Sequence, residues 1–510
     1  MTRTIVLAFV FALAGFAAGH WYTKQGTPAR EADAARVAAS YEGGFRADRE
    51  SAAAVGERLA SGSITAVAGT PGEHEIVVAD GESIQEAVKR AAPGTVIRVR
   101  PGTYHETVYI DKDAIRLVGV IEQGRRPVLD GHGKLNDAVL YSGNGIVVEN
   151  FTITRYKGNG IMGQAGNNFE IRNNLIIDTG VYGIFPQLGK NGIVEHNVLS
   201  GIEDAAIYIG MSDNIHVAHN VVFGNVAGIE IENSRHAIVE NNHVYDNTGG
   251  ILAFITPGLP IKTTSDVIIR NNFVMRNNHP NFGAPGSIVA GIPAGTGILV
   301  MAADDVVIED NIVSDHKTAG ILIVDHTNAA NLTVDPESDP NPDRVAILDN
   351  VMYRNGYDTI PEVKALMLAG MQRGEPDIVR VGPGTGSCIL NRARYVTVGL
   401  DDFAVCGFGN TDATVTYLLP PVPPRVIEPG ERGKIAYLGI CSGCHIYGGR
   451  MVGPPVQAIQ ALYMDDPQAL ADYIAKPVRK RDDYPEMPPQ NYLDPETRLA
   501  VAKYMLEVRN

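Results

Sequence analysis

The residues with the clearest chemistry are two cysteines and a histidine near the carboxyl end of the chain. Cys441, Cys444 and His445 form a C-x-x-C-H run, the spacing through which c-type haem is attached to protein. Two thiols on one helical turn can reach both vinyl groups of a single porphyrin, and the imidazole that follows can bind the iron. The spacing therefore predicts one covalent haem c with His445 as an axial ligand.

Two other uses of such a run are a redox dithiol and half of a zinc site. A zinc site needs further ligands at suitable spacing, and His445 is the only candidate near the cysteines. A thioredoxin-like dithiol needs a βαβ context, whereas the pattern around this run is helical. Haem attachment is therefore the favoured interpretation.

The second axial ligand is expected to be a methionine that follows His445. Met451 lies too close in sequence to wrap around the ring, and Met464 and Met505 sit in helical patterns where core packing is the more usual role. Met487 stands in the segment YPEMPP, whose prolines make a rigid loop that can present a thioether. We expect His445 and Met487 to be the axial pair, which raises the reduction potential of the iron.

The last unit, residues 428–510, is predicted to be small and helical. Asp466 with Pro467, and Asp494 with Pro495, each combine an N-cap residue with a proline at the first helical position. A unit of this size with one haem motif resembles a class I c-type cytochrome, in which the distal methionine sits in a proline-flanked loop before the last helix. The resemblance implies transfer of single electrons to or from a redox partner protein.

Length and charge limit the remaining possibilities. A chain of 510 residues is too long for one compact core, so two or three units are expected. The formal net charge of −15 argues against nucleic acid and anionic membrane surfaces as partners. The 55 glycines favour a turn-rich β architecture over a helical one.

The amino-terminal residues 1–22 have the composition of an export signal. Arg3 supplies a positive charge, residues 5–18 are apolar, and residues 17–19 make a small-residue cleavage site. Cleavage and retention as an inner-membrane anchor both stay open. Either outcome places the body of the protein in the periplasm or outside the cell, where c-type haem is attached.

Cysteine usage agrees with an oxidising compartment. Cys388 and Cys406 remain after the haem cysteines are assigned, and an even pair outside the cytoplasm can form a disulfide. Such a bond would close a short loop and stabilise the fold by about 3 kcal/mol. Two buried free thiols are the alternative.

Short apolar strands followed by asparagine recur through the middle of the chain. The spacing between successive asparagines begins near 23 residues and later widens to 30 and 39 residues. Such a period indicates one supersecondary unit stacked many times, with loops inserted in the later turns. Asparagine tolerates the left-handed conformation that these turns need, and stacked amides hydrogen-bond from rung to rung. The repeating residues are Asn150, Asn174, Asn197, Asn220, Asn242, Asn272, Asn311 and Asn350.

Each repeat is predicted to hold three short strands, which make one rung of a right-handed parallel β-helix. A helix that begins after Ser83 and a strand at Val96–Val99 precede the rungs and would cover the open end of this solenoid. With its opening DGESIQEAVKRAAPGTVIRVRPGTYHETVYI, the segment 75–360 resembles the pectin-lyase-like superfamily. Its nearest branch is that of the periplasmic nitrous-oxide-reductase maturation proteins and mannuronan epimerases. The fold class implied is mainly β: a right-handed parallel β-helix solenoid followed by a small all-α cytochrome c domain.

The domain boundaries follow from these patterns. The repeat fades after residue 350, and the segment that follows is expected to cover the last rung and shield it from edge pairing. A run of prolines then makes a stiff linker. The predicted organisation is a signal or anchor at 1–22, a tether at 23–74, the β-helix at 75–360, its C-terminal extension at 361–418, the linker at 419–427 and the cytochrome domain at 428–510.

Acidic and histidine residues beside turns are weak candidates for catalysis in the β-helix. Asp315 and His316 lie one strand away from Asp325 and His326, in the part of the repeat with the longest insertions, so they could line a groove. Lyases and epimerases of this fold need a base, an acid and a group that neutralises a uronate carboxylate. The sequence shows no basic cluster on consecutive rungs that would hold a polyuronate.

Two function classes therefore stay open. The first is an electron-transfer protein whose β-helix docks a partner or a polysaccharide. The second is a carbohydrate-active lyase or epimerase with an attached haem. A metal-handling accessory role is weaker, because the sequence has no Met- or His-rich metal motif.

Overall fold

The computed structural model describes residues 74–285, 287–329, 332, 334–412, 430–442, 444–449, 453–481, 484, 487, 489–491 and 493–509. The predicted signal or anchor at 1–22, the linker at 419–427 and all but the last residue of the tether at 23–74 lie outside these residues. Among the described helices, none combines the length and the apolar composition needed to cross a lipid bilayer.

Three parallel sheets form the walls of a β-helix in the described part of the chain. The chain passes from sheet A to sheet B to sheet C in each coil, and every strand pairs with the strand one coil later. Sheet A consists of β1 (Glu75–Val78), β2 (Val96–Val99), β5 (Arg116–Gly119), β8 (Val147–Glu149), β11 (Glu170–Arg172), β14 (Lys190–Glu195), β17 (Asp213–Ala218), β20 (Arg235–Glu240), β23 (Ser265–Arg270), β26 (Asp304–Glu309), β29 (Ala346–Leu348) and β32 (Cys388–Ile389).

The other two walls follow the same order along the chain. Sheet B consists of β3 (Thr103–Tyr104), β6 (Val128–Asp130), β9 (Thr152–Thr154), β12 (Leu175–Ile177), β15 (Val198–Ser200), β18 (Val221–Phe223), β21 (His243–Tyr245), β24 (Phe273–Met275), β27 (Ile312–Ser314) and β30 (Val351–Tyr353). Sheet C consists of β4 (Val108–Ile110), β7 (Val139–Tyr141), β10 (Ile161–Gln164), β13 (Tyr182–Gln187), β16 (Ala205–Gly210), β19 (Ala227–Glu232), β22 (Gly249–Phe254), β25 (Thr296–Met301), β28 (Ala319–Val324), β31 (Ile378–Val381) and β33 (Thr397–Val398).

The inside of the solenoid is filled by aliphatic side chains stacked from coil to coil. Side chains alternate between the two faces of a strand, so each strand sends one set of residues inward. In sheet C, Ile184, Ile207, Ile229 and Ile251 lie in register and are fully buried. Burial of each such side chain stabilises the folded state by about 1.5–3 kcal/mol. Because the same contact repeats from coil to coil, the fold extends along one axis.

The predicted asparagine ladder lies inside the turn between sheets A and B. Asn197 Nδ2 donates to Asn220 Oδ1 at 3.0 Å, and the Asn220 amide continues the chain of hydrogen bonds to Asn242. The ladder runs through Asn174, Asn197, Asn220, Asn242, Asn272, Asn311 and Asn350.

Two details of the ladder differ from the prediction. Asn150 is not a member: it has φ 69°, and the next residue, Phe151, occupies the ladder position and donates its backbone N–H to Asn174. The left-handed residue of each turn is the one before the ladder asparagine, for example His196 at φ 56°. The ladder asparagines therefore contribute their side-chain amides, and the residue before each of them adopts the left-handed backbone conformation.

Helix α1 (Ile84–Arg90) covers the amino-terminal end of the coil, as predicted. Ser83 is its N-cap and accepts a hydrogen bond from the backbone N–H of Glu86 at 3.2 Å. The carboxylate of Glu106 accepts from the Ile84 and Gln85 amides at 2.8 and 2.9 Å, so the first turn of the helix is fixed to the following rung. The predicted strand at Val96–Val99 is present as β2.

The rungs continue beyond the predicted end of the β-helix at residue 360. Strands β31, β32 and β33 add to sheets A and C within the segment 361–418, which also contains helix α2 (Pro361–Ala369). These last strands have two to four residues and are separated by loops, so the sequence period is lost although the coil persists. Cys388 and Cys406 are joined by a disulfide, with their Cα atoms 4.9 Å apart.

The described part of the C-terminal region is helical. Its elements are α3 (Arg432–Ala436), a π-helical turn (Tyr437–Cys441), α4 (Val456–Leu462), α5 (Pro467–Ala475) and α6 (Pro495–Glu507). The side chains of Asp466 and Asp494 cap α5 and α6, as predicted, by accepting backbone N–H groups at 2.9 Å. Helix α6 packs through Val501, Ala502 and Met505 into a separate apolar core.

Candidate functional site

The C-x-x-C-H segment forms a tight turn at the end of the π-helical turn. The backbone N–H groups of Cys444 and His445 donate to the Cys441 carbonyl at 3.1 and 2.8 Å. These bonds hold both thiols and the imidazole on one turn of chain. Cys441 is buried in the helical core, whereas Cys444 is exposed.

The His445 ring is held in one orientation by its neighbours. Its Nδ1 donates to the carbonyl oxygen of Pro454 at 2.8 Å, which leaves Nε2 with its lone pair available. A β-carbon at Gly453 would lie 2.3 Å from His445 Cε1, so only glycine permits this close approach. Burial lowers the pKa of His445, although the bond to Pro454 opposes the effect, and the ring is therefore favoured in the neutral, ligand-competent form.

The methionines predicted as candidates for the second axial position occupy different environments. Met487 is half-buried and packs against the helical core that contains Cys441. Met505 is 3% exposed within that core, and Met464 is 71% exposed at a turn. Met451 lies outside the described residues. Of the three described candidates, Met487 packs against this core and does not lie within a helix.

The donor set fits a covalently attached haem. Two thiols stand on one turn beside a histidine whose Nδ1 is occupied and whose Nε2 is available. Gly453 leaves space against the ring, and a thioether lies in the same core. Cys441 and Cys444 would hold the porphyrin, and His445 with Met487 would hold its iron.

The C-x-x-C-H segment lies against sheet C. The π-helical turn that precedes it contacts β10. A β-carbon at Gly258 would lie 3.6 Å from Cδ1 of Ile446, the residue after the motif. Desolvation and then the negative charge of Asp204, the residue before β16, raise the pKa of the Cys444 thiol to about 11. The motif and the β-helix are therefore neighbours.

Two side-chain rows cover the outer face of sheet C. The first, which we call the outer row, is apolar apart from one acid, and it runs through Leu140, Met162, Phe185, Tyr208, Glu230, Leu252, Leu299 and Leu322. The parallel row beside it contains Gln164, Gln187, Glu232, Phe254 and Met301. Buried acids on an otherwise apolar face are unusual, and ionisable groups in such surroundings are candidates for a functional site.

Glu230 and Glu232 are buried on this face, and Asp204 is half-buried on the preceding coil. Burial and then the charge of Glu232 raise the pKa of Asp204 to about 8, and burial raises the pKa of Glu232 to about 7 despite its hydrogen bond from Thr256. Burial and then Asp204 raise the pKa of Glu230 well above its usual value. Asp204 Oδ1 and Glu230 Oε1 have no hydrogen-bond partner among the described residues. Asp204 directly precedes β16, whereas Glu230 and Glu232 lie in β19 on the next coil, so the three acids are not contiguous in the sequence.

His316, a predicted catalytic candidate, is a structural residue of a second ladder. This ladder runs in the turn between sheets B and C through Asn225, Asn247, Asn277, His316 and Asn355. Asn277 donates to His316 Nε2 at 3.0 Å, and His316 Nδ1 donates to Asn355 at 3.0 Å. Burial lowers the pKa of His316 to about 4 although the Asn355 bond opposes it, so the ring is neutral with both nitrogens occupied.

The other three catalytic candidates have separate partners. Asp315 adopts φ 61° and forms an ion pair with Arg354 at 3.2 Å. Asp325 is buried and caps a short 3-10 helix by accepting the Asn328 backbone N–H at 3.0 Å. His326 Nε2 donates to the carbonyl of Ile255 at 2.9 Å. The structure therefore gives all three local structural roles and does not assemble them with His316 into an acid–base site.

One group of metal-ligand side chains lies near the amino-terminal end of the β-helix. His105 and His132 stack with ring centroids 3.8 Å and Nε2 atoms 3.1 Å apart, beside the Asp130 carboxylate. That carboxylate is already engaged by Arg155 and by the His132 backbone N–H. His105 Nδ1 donates to the Asp130 carbonyl oxygen at 3.0 Å, so the members of this group already have local hydrogen-bond partners.

Comparisons with known proteins agree with the coil seen in the structure. The family model described as a right handed beta helix region matches residues 132–256 and 222–336, so the solenoid is a right-handed parallel β-helix. No curated protein sequence matches the chain.

Several solved structures are similar to this chain at low sequence identity. The alginate lyase from Paenibacillus sp. str. FPU-7 is 17% identical, with a TM-score of 0.42, over 57% of this chain and 100% of the lyase chain. The A-module of mannuronan C-5 epimerase AlgE4 from Azotobacter vinelandii is 16% identical, with a TM-score of 0.37, over 61% of this chain and 85% of that module. A mutant of the periplasmic alginate epimerase AlgG is 16% identical, with a TM-score of 0.31, over 55% and 76% of the two chains.

Proposed function

We propose that the protein is an exported c-type cytochrome that carries one covalent haem and exchanges single electrons with a redox partner protein. Cys441 and Cys444 are the attachment sites, and His445 and Met487 are the axial ligands. The three solved structures named above act on polysaccharides and none is a cytochrome, so the proposal rests on the residues of the helical region alone.

The observation that carries the proposal is the hydrogen bond from His445 Nδ1 to the Pro454 carbonyl. A ring nitrogen that donates to a backbone carbonyl fixes the tautomer and leaves the other nitrogen to bind a metal. The close approach of Gly453 and the bond from the Tyr437 hydroxyl to the His445 carbonyl, 2.9 Å long, further hold this turn. A histidine in this environment is prepared as a ligand before any haem binds.

Covalently bound haem supplies a one-electron couple between ferric and ferrous iron, and methionine as the second ligand raises its reduction potential. The chain supplies the attachment, the orientation of His445 and an apolar core around Cys441. Because c-type haem is attached outside the cytoplasm, the proposal also places the protein in the periplasm or in the secreted fraction. Residues 1–22 are the proposed route of export.

The test of this proposal is expression of the full chain in a host that matures c-type cytochromes. We expect a coloured protein that gives a one-electron wave in a redox titration. Met487→Ala should lower the midpoint potential and change the spectrum, because a weaker or solvent ligand replaces the thioether. Met464→Ala is the matched control and should leave both unchanged, because Met464 is exposed at a turn.

A second candidate function is that of a carbohydrate-active β-helix enzyme with an attached haem. The observation that favours it is the carboxyl cluster of Asp204, Glu230 and Glu232, because groups with raised pKa values can serve as general acids near neutral pH. Its partner would be a polysaccharide held against the outer face of sheet C.

Incubation with alginate or pectate separates the two candidates. The enzyme hypothesis predicts the steady appearance of unsaturated products or of epimerised residues, with loss of activity in Asp204→Asn and full activity in His445→Ala. An absence of turnover by the intact haem-loaded chain on both polymers would remove the lyase and epimerase hypothesis for these substrates.

A further inference from the structure

We infer that a cavity on the outer face of sheet C binds a neutral, mainly apolar molecule through one hydrogen-bonding head group, and that Glu230 holds this head group. The inference goes beyond electron transfer by the haem region, because it assigns a ligand site to the β-helix itself. It also concerns a class of ligand different from a polysaccharide.

The cavity has a volume of about 410 Å³ and lies between sheet C and two insertions. Ligand pockets for small molecules typically have about 300–1,000 Å³ and mainly apolar walls. The floor is formed by side chains of both outward rows, and the walls come from the 3-10 helix at Val289–Gly291 and from the start of α2. The apolar residues that line it include Leu252, Phe254, Ile292, Leu299, Met301 and Val363.

Glu230 is a polar residue of the cavity lining with an oxygen that lacks a hydrogen-bond partner among the described residues. It is 2% exposed, it lines the cavity, and its Oε1 has no hydrogen-bond partner among the described residues. A buried polar atom without a hydrogen-bond partner is unfavourable, because it has lost its hydrogen bonds to water. Its register neighbours, Tyr208 and Leu252, belong to the outer row, and Leu252 is apolar. A ligand hydroxyl that reaches Glu230 would offset this cost.

The chemistry of the lining selects a neutral ligand. The side chains that line the cavity include no lysine or arginine among the described residues, so an anionic sugar would meet no counter-charge there. Burial and the neighbouring Asp204 favour the protonated form of Glu230, which can both donate and accept a hydrogen bond. A phenol or an alcohol on an apolar body matches these two properties.

Glu230 belongs to β19, the earliest coil that lines the cavity. The remaining floor residues come from later coils, in β22, β25 and β28. A bound ligand would therefore place its polar group at β19 and its apolar body along the later coils.

The experiment is equilibrium dialysis of the full haem-loaded chain against 1-naphthol and, separately, against naphthalene. Both probes have the same apolar body, and only the first has a hydroxyl. We expect saturable binding of 1-naphthol to one site, several-fold tighter than naphthalene. Glu230→Leu should abolish the preference for the hydroxyl, whereas Glu230→Gln should keep it, because an amide can still hydrogen-bond.

A second variant tests the location of the site. Ile292→Trp, on the insertion that forms one wall, should fill the cavity and weaken the binding of both probes by at least tenfold while the haem spectrum stays unchanged. Absence of saturable binding, equal affinities of the wild type for both probes, an unaltered preference in Glu230→Leu, or unaltered binding in Ile292→Trp would each overturn the inference. The readout is binding and not electron transfer, so its failure is distinct from failure of the cytochrome proposal.

Discussion

His445 Nδ1 donates a hydrogen bond to the Pro454 carbonyl oxygen at 2.8 Å, and this bond leaves the opposite ring nitrogen available to a metal. Gly453 also lies against the imidazole, because a β-carbon at this position would overlap the ring. The polypeptide alone therefore holds the ring in one orientation.

Gly453→Ala should disturb the haem site. The added β-carbon would lie 2.3 Å from His445 Cε1, so the ring or the turn must move. Such overpacking costs about 1–3 kcal/mol. We expect a lower haem content per chain and a weakened low-spin spectrum in material purified from a maturation-competent host. Gly448→Ala is the matched control, because the nearest atom to a β-carbon there is 3.8 Å away. Equal effects of the two substitutions would contradict the packing argument.

His316→Asn should fold and retain stability, whereas His316→Ala should destabilise the β-helix by about 2–3 kcal/mol because the Asn277 and Asn355 amides lose their partner. Asparagine is the ladder residue on the neighbouring coils, so its amide can restore the chain of hydrogen bonds. Chemical denaturation of the two variants side by side measures the difference. Equal destabilisation by both substitutions would show that the ladder does not require the amide.

The same histidine should make stability depend on pH. Its folded-state pKa of about 4 lies below the unfolded value of 6.5, so folding favours the neutral ring. The stabilisation is fully present above pH 6.5 and is lost as the pH falls toward 4. The wild type should lose about 3 kcal/mol more than His316→Asn across this interval. Parallel curves for the two proteins would contradict burial of an uncharged ring.

Asn220→Ala should destabilise the solenoid by about 3 kcal/mol, because the amide both accepts from the Asn197 backbone N–H and donates to the Asn242 side chain, each at 3.0 Å or less. The comparison is Asn341→Ala, at a half-exposed position on an insertion loop. The denaturation midpoint of this control should match that of the wild type. A midpoint shift of similar size in both variants would argue against the ladder as a source of stability.

Replacement of Cys388 and Cys406 by serine should lower the free energy of unfolding by about 3 kcal/mol, because the disulfide closes a loop with a sequence separation of 18 residues. A reductant should lower the stability of the wild type to the same level and leave the double variant unchanged. A wild type that does not respond to the reductant would argue against a disulfide in the folded protein.

The sequence indicates the solenoid but not the details of its register. The spacing of the asparagines predicts the length of each coil, yet Asn150 lies one position before the ladder. In each turn the residue with left-handed φ directly precedes the ladder residue. Asparagine is favourable at both positions, so the sequence alone does not distinguish them. The second ladder was not predicted, because His316 replaces an asparagine in its repeat. The rungs after residue 360 were not predicted, because strands of two residues are too short to show an alternation of apolar and polar residues.

The C-x-x-C-H segment and the acidic residues of sheet C differ in how far the sequence alone predicts them. Cys441, Cys444 and His445 are close in sequence, so their spacing alone predicts their chemistry. Asp204 and Glu230 meet only because the coil brings positions 26 residues apart onto one face. The alignment of Glu230 with the apolar residues of the outer row becomes visible only when the register between successive coils is known.

Mass measurement of the denatured full chain from a maturation-competent host, combined with a pyridine haemochrome spectrum, determines whether haem is covalently bound. We expect one haem per chain that survives denaturation, and its loss when Cys441 and Cys444 are both changed to serine. A colourless wild-type chain of unmodified polypeptide mass, or haem that dissociates on denaturation, would contradict this expectation.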